Sequence, residues 1–199
     1  ERLFGLAGPK GNHGEDVKEY YYYLDNTPTH CSMRYLYKYP HAAFPYEDLY
    51  KENARRDKSD REYELIDTDI FDDNRYFDVF VEYAKAGPED ICIKITAVNR
   101  GPETAPLHLL PTVWFRNTWS WANEPKPIAF DASKDGRAAI HLEKPEMPHY
   151  TLYCDGGPGL LFCENETNNR ALFNVANTSA FTKDGFGNYI VHRDHTAID

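Results

Sequence analysis

The plainest pattern along the chain is a two-residue alternation. In YFDVFVEYAKA, residues 76 to 86, Phe77, Val79, Val81 and Tyr83 fall on one face while Asp78 and Glu82 fall on the other, the period of a half-buried strand. The turn Gly87-Pro88-Glu89-Asp90 leads into ICIKITAVN, where Ile91, Ile93 and Ile95 alternate with Lys94 and Thr96, so the two runs predict an antiparallel hairpin. After NRGPETAP, the run LHLLPTVWF, residues 107 to 115, is apolar at odd and even positions alike and predicts a third strand lying centrally beneath a second layer. Farther on, PIAFDAS, RAAIHLE, HYTLYCD and GLLFCEN are short β-rich runs separated by Lys134-Asp135-Gly136, Pro145 to Pro148 and Gly156-Gly157-Pro158, the rhythm of a meander. Helical spacing is confined to THCSMRYLYKY at 29 to 39 and FPYEDLYKENARR at 44 to 56, the second with Pro45 near a first turn and Glu47 and Asp48 behind it. RRDKSDRE, residues 55 to 62, reads as a solvated loop. With no repeat, heptad or break in composition, the pattern predicts a mainly β chain: one antiparallel β-sandwich domain over 1–199, with one or two short helices near residues 29–56.

Charge narrows the partners. A net charge of −10 repels phosphate backbones and anionic lipid surfaces, which argues against nucleic acid and membrane and favours a neutral partner. No apolar run approaches the ~20 residues that span a bilayer, and no signal peptide opens the sequence, so a cytoplasmic location is expected. Cys31, Cys92, Cys154 and Cys163 lack the C-x-x-C spacing of a zinc knuckle and sit among apolar or aromatic neighbours, which predicts free buried thiols and neither metal nor cofactor. The sequons at Asn165 and Asn177 matter only in a secretory pathway. Because the sequence begins without Met and stops at HTAID in mid-flow, it is expected to be a fragment of a longer protein.

Four stretches invite a chemical reading, and each has a plain structural one beside it. In GNHGEDVKE, Gly11 and Gly14 bracket His13, with Glu15, Asp16 and Glu19 following; a loop there presents an imidazole beside carboxylates, and it also describes an ordinary turn into a charged strand start. Tyr20 to Tyr23 on a strand send Tyr20 and Tyr22 to one face and Tyr21 and Tyr23 to the other, which suits sugar stacking on one face or core packing. The acids of DTDIFDDNRYFD lack the glycine and terminal Glu of a calcium loop, so they read as a solvated turn with Arg75 pairing to one of them. WFRNTWSW holds all three tryptophans, Trp114, Trp119 and Trp121, within eight residues. In a strand running into a loop, Trp119 and Trp121 share a side, Arg116 holds a carboxylate or a sugar hydroxyl, and Asn117 lies between them. Such a cluster marks either a carbohydrate surface or a contact with another domain. No nucleophile elbow or phosphate loop is present.

FGLAGPKGNHGEDVKEYYYYLDNTPTH, MRYLYKYPHAAFPY, FDDNRYFDVFVEYAKAGPEDICIKITAVNRGPE and LHLLPTVWFRNTWSW, in that order, resemble the N-terminal region of microbial glucosidases of glycoside hydrolase family 63, related to mannosyl-oligosaccharide glucosidase. The likeness covers most of residues 1 to 125. It implies an N-terminal β-sandwich of the super-sandwich type packed on a C-terminal (α/α)6 barrel that carries the general acid and base of an inverting α-glycosidase. No catalytic residue is therefore expected in this chain. The implied partner is that barrel in the same parent chain, with an oligosaccharide as ligand, and His13, Glu15, Asp16, Arg116, Asn117, Trp119 and Trp121 are the candidates for lining its sugar pocket or for meeting the other domain. The alternative is a free-standing carbohydrate-binding module built on Trp114, Trp119 and Trp121.

Overall fold

Cross-strand pairing of tyrosines builds the first sheet. In the computed structural model, which describes residues 20–122 and 124–199, β1 (Tyr20–Asn26), β2 (Ser32–Pro40), β3 (Tyr76–Gly87) and β4 (Asp90–Asn99) lie antiparallel in the order β1-β2-β3-β4. The tyrosine run alternates as its spacing predicts. Tyr20 is buried, Tyr21 stacks on Tyr37 with ring centres 4.5 Å apart, and Tyr23 meets Tyr35 edge-on at 4.9 Å.

The helix expected over 29–39 is instead β2. Met33, Tyr35, Tyr37 and Tyr39 alternate along it, β1 takes one backbone edge and β3 the other, and aromatic side chains that would lose rotamer freedom in a helix gain cross-strand partners here. Helix α1 (Tyr46–Arg55) does form, with Glu47 and Asp48 in its first turn, where they complement the helix dipole. Its Leu49 joins Tyr20 of β1 and Leu65 of the following 3-10 turn in a buried cluster flanked by Phe44, Tyr63 and Phe71. Asn53 holds the chain after α1 in place: its amide donates to Tyr63 O at 2.9 Å and accepts from Tyr63 N at 2.8 Å.

The β3–β4 hairpin runs from Phe77 opposite Asn99 to Gly87 opposite Asp90, as the alternation predicts. One residue departs from it. Asp78, expected on the wet face of β3, is 5% exposed. Its burial is possible because Lys38, its register partner on β2, donates to Oδ1 at 2.7 Å, and Arg100, just past β4, donates to Oδ2 at 2.7 Å. The Lys38 ammonium also lies 4.3 Å from the centre of the Tyr76 ring. On the outer strand β4, by contrast, Ile91 and Ile93 are about half exposed.

The central strand expected at 107–115 is absent. Leu109, Leu110, Val113 and Trp114 are exposed, and no ladder takes the segment. Pro111 in its middle and Pro106 before it remove donors that a central strand needs, so apolar composition alone does not make the strand.

Residues 110–199 form a unit of their own. Its sheet is the expected meander, β5 (Ile128–Asp131), β6 (Ala138–Glu143) and β7 (Tyr150–Cys154), in that order. Asp135 and Gly136 both take left-handed φ, +53° and +77°, and Lys134 and Arg137 exchange two backbone bonds across them, the hairpin geometry that an Asp-Gly pair favours. GLLFCEN, expected as a further strand, joins no sheet. Single backbone bonds hold it instead, Asp199 N to Phe162 O and Glu164 N to Phe181 O, with Lys183 N to Glu166 O just beyond. Short helices α2 (Trp119–Ala122), α3 (Asn169–Phe173) and α4 (Gly185–His192) complete the unit. A glycine opens α4 because the backbone of Ala197 packs on it: a Cβ there would stand 2.3 Å from Ala197 O.

All four cysteines are free thiols, as their spacing predicts, but Cys31 and Cys92 are exposed rather than buried. Cys92 rides the edge strand β4 and Cys31 sits in the β1–β2 connection, while Cys154 and Cys163 are half-buried. Among the described residues no helix is long and apolar enough to cross a membrane.

Burial pushes the Asp78 carboxyl up, but the hydrogen bonds and charges of Lys38 and Arg100 outweigh it and hold the group below its ordinary range. A depressed folded value means that the stabilisation is complete above the unfolded Asp value of about 4 and is lost as pH falls through the folded value. Asp78→Asn should therefore lose about 1–3 kcal/mol in urea melts at pH 7. The gap to the wild type should close below about pH 4; a gap unchanged at pH 3 would contradict this origin.

Candidate functional site

Of the residues singled out from the sequence, His13, Glu15 and Asp16 lie outside the described residues. Arg116, Asn117, Trp119 and Trp121 fall together, and the structure divides their work. Thr118 and the residues after it turn into α2, so Trp119 and Trp121 stand about 200° apart around a helical turn. They do not share a side, as a strand would have required.

Trp119 faces inward to a carboxylate that arrives from 47 residues away. Its indole Nε1 donates to Glu166 Oε1 at 2.6 Å, while Ser120 Oγ and Asn117 Nδ2 donate to Glu166 Oε2 at 2.8 and 3.2 Å. Burial raises the Glu166 pKa; the hydrogen bonds from Trp119, Ser120 and Asn117, together with the nearby Lys126 charge, outweigh it and leave the group below the usual glutamate range. It stays ionised at neutral pH and serves as an anchor. Asn117 and Asn165 tighten the same junction, Asn117 Nδ2 donating to Asn165 O at 2.7 Å and Asn165 Nδ2 to Phe115 O at 2.8 Å. The Asn165 sequon amide is thus occupied by the fold. So is that of Asn177, which accepts from Arg170 N and donates to Asn168.

Trp114 and Trp121 face outward, 66% and 70% exposed. The Trp121 Nε1 bonds Asn117 O at 2.7 Å, which fixes the indole, and the Arg116 guanidinium lies 5.9 Å from its ring centre. Arg116 was expected to hold a carboxylate or a sugar hydroxyl; in the structure its charge sits over the indole face. An exposed, pinned indole with a cation on it is a surface for stacking.

Sequence reasoning passed over Glu166. In the sequence it is only the middle residue of the Asn165-Glu166-Thr167 sequon, and nothing local says that an indole N–H will reach it. The arginine-lined depression beside α1, formed by Glu52, Arg55, Arg56, Asp60 and Arg61, offers less than its composition suggests. Arg55 and Arg56 share Glu52, and Arg61 pairs with Asp67, so each cationic group already has an acidic partner.

The chain is 39% identical over 236 residues to the protein named Uncharacterized protein YMR196W from Saccharomyces cerevisiae, an alignment that takes in 100% of this chain and 21% of the relative. It therefore spans about a fifth of that protein's length. No family model matches the chain, and no solved structure matches it.

Glu166→Ala should remove the anchor without touching either exposed indole. We expect a loss of about 1–3 kcal/mol and a red-shifted, more readily quenched tryptophan emission as Trp119 meets water. Trp121→Ala should stay within about 0.5 kcal/mol of the wild type. Equal effects of the two substitutions would contradict the inward and outward assignment.

Proposed function

We propose that this chain is a non-catalytic β domain of a larger, family 63-like α-glucosidase, where it braces a catalytic domain and lends the Trp114–Trp121 face to the rim of a sugar pocket. The observation that carries this reading is the run 107–115: nine residues apolar enough for a protein interior, extended without a ladder, with Leu109, Leu110, Val113 and Trp114 in water. Apolar surface of that kind is characteristic of a face that another chain segment covers. The relative's length supports the same view, since about four fifths of it lies outside the match. The sequence resemblance supplies the glucosidase part of the reading, and Asp78 and Glu166 are each committed to donors of the fold.

A second reading, a carbohydrate-binding module, draws on the outward tryptophans: flat indoles stack on sugar C–H faces, and Trp121 is held rigid for that purpose. Only two of the three indoles are placed to serve it. Trp119 is committed to Glu166.

The isolated chain should release no glucose from α-linked glucose disaccharides; release would overturn the non-catalytic reading. It should also bind a hydrophobic dye, and Leu109→Ser with Leu110→Ser should reduce that binding while leaving far-UV circular dichroism unchanged. Dye binding that is absent, or indifferent to these substitutions, would count against a covered face. Tryptophan emission during titration with gluco-oligosaccharides separates the two readings, saturable quenching that is lost in Trp121→Ala belonging to the binding module.

A further inference from the structure

The β6–β7 hairpin gathers two imidazoles and a carboxylate at one spot. On β6, His141 and Glu143 are two residues apart, so both side chains leave the same face of the strand. The register sets His141 opposite Thr151 and Leu142 opposite Tyr150 on β7. One step farther, the same register sets Glu143 opposite His149, the residue just before β7 begins. The connection Lys144-Pro145-Glu146-Met147-Pro148 is held by Met147 N donating to Lys144 O at 3.1 Å, with Glu146 in left-handed φ, +65°, and its two prolines limit the freedom of the loop.

The distances suit a metal ion. His141 Nε2 lies 3.2 Å from Glu143 Oε1, and His149 Nδ1 lies 3.8 Å from the same oxygen. One ligand atom from each of the three residues falls within 4.8 Å of the others. Zinc held tetrahedrally by nitrogen and oxygen at about 2.0–2.1 Å has ligand–ligand edges of about 3.3–3.4 Å. The first pair already stands at such an edge, and the second is about half an ångström longer. The ring nitrogen of His141 that faces away from Glu143 has its own partner, Thr151 Oγ1 at 3.3 Å. That second contact orients the imidazole and directs the other nitrogen toward the ion, as partners of metal-binding histidines do. Phe130, across on β5, packs on the His141 ring with centres 5.1 Å apart, and the His149 ring meets it edge-on at 5.6 Å. His149 is exposed while His141 and Glu143 are half-buried, so the ion has an open approach and a fourth position left to water.

We propose that His141, Glu143 and His149 form a binding site for one divalent transition-metal ion of the nitrogen-preferring class, with Zn2+ as the natural probe. Two imidazoles with one carboxylate suit zinc and its neighbours in the first transition row and suit calcium or magnesium poorly, since those ions prefer an all-oxygen shell. Bound there, the ion clips the hairpin at the base of its connecting loop and presents a water ligand to solvent. The site is independent of the domain-contact reading above and stands or falls separately.

The test is titration of the metal-free full chain with Zn2+ against a chromophoric chelator, with Co2+ as a spectroscopic substitute. We expect one equivalent of saturable binding, a rise in Tm, and tetrahedral Co2+ absorption without the charge-transfer band of a thiolate ligand. His149→Ala and Glu143→Gln should each weaken Zn2+ binding more than tenfold, and Thr151→Val by about tenfold. His13→Ala should leave it unchanged. Because His149 and Glu143 reach solvent, both variants should keep the wild-type circular dichroism in the absence of metal. The proposal is overturned if Zn2+ does not bind saturably, if the His149 and Glu143 variants bind as the wild type does, or if binding disappears with His13→Ala or with replacement of the cysteines instead.

Discussion

A carboxylate withdrawn from water must be met by donors, and the arrangement of this chain leans on that requirement. In the first unit it falls on Asp78, whose two oxygens take Lys38 from β2 and Arg100 from beyond β4. Strand β2 on one side and the chain leaving β4 on the other are thereby tied to the start of β3. In the second unit it falls on Glu166, which collects Asn117, Trp119 and Ser120. Asp184, before α4, is exposed and accepts from its neighbour Thr182 Oγ1 at 2.5 Å and from Asn168 Nδ2 at 2.8 Å. In a chain of net charge −10 carboxylates are plentiful. What distinguishes Asp78 and Glu166 is that donors from other segments arrive at both oxygens.

Apolar surface is handled with less economy. Ile91 and Ile93 on β4 and the run 107–115 stay in water, although each is as hydrophobic as the buried Leu49 and Leu65. Sheets with open edges and apolar outer strands tend to pair or to be covered, and the relative extends well beyond the matched region. The Trp114 and Trp121 indoles belong to this surface. Trp119 belongs to the interior, because the Glu166 bond turns it inward.

The β6–β7 hairpin shows how a site can arise from register alone. Neither His141 nor His149 stands out in the sequence, and the notable acids and histidine were sought near the start of the chain, at His13, Glu15 and Asp16. Counting back along an antiparallel pair places Glu143 opposite His149 once His141 is known to face Thr151. That knowledge comes from which turn closes the hairpin, and turn choice is weakly signalled in a loop with two prolines.

Local pattern determined the elements whose residues interact mainly with sequence neighbours. Two-residue alternation and the Gly87-Pro88 turn specify the β3–β4 hairpin, the acids after Pro45 specify the start of α1, Asp135-Gly136 specifies the turn into β6, and the alternating tyrosines specify β1, because strand pleat and turn chemistry act over a few residues. Tertiary structure decided the rest. Residues 29–39 carry a helical spacing and become β2 because strands on both sides take their backbone groups. Residues 107–115 carry the composition of a central strand and remain unpaired because the prolines withhold donors and no ladder meets them. Asp78 is buried and Trp119 turned inward by partners 22 to 47 residues distant. A hydrogen bond across that separation depends on where two segments meet in space, which no short window of sequence contains.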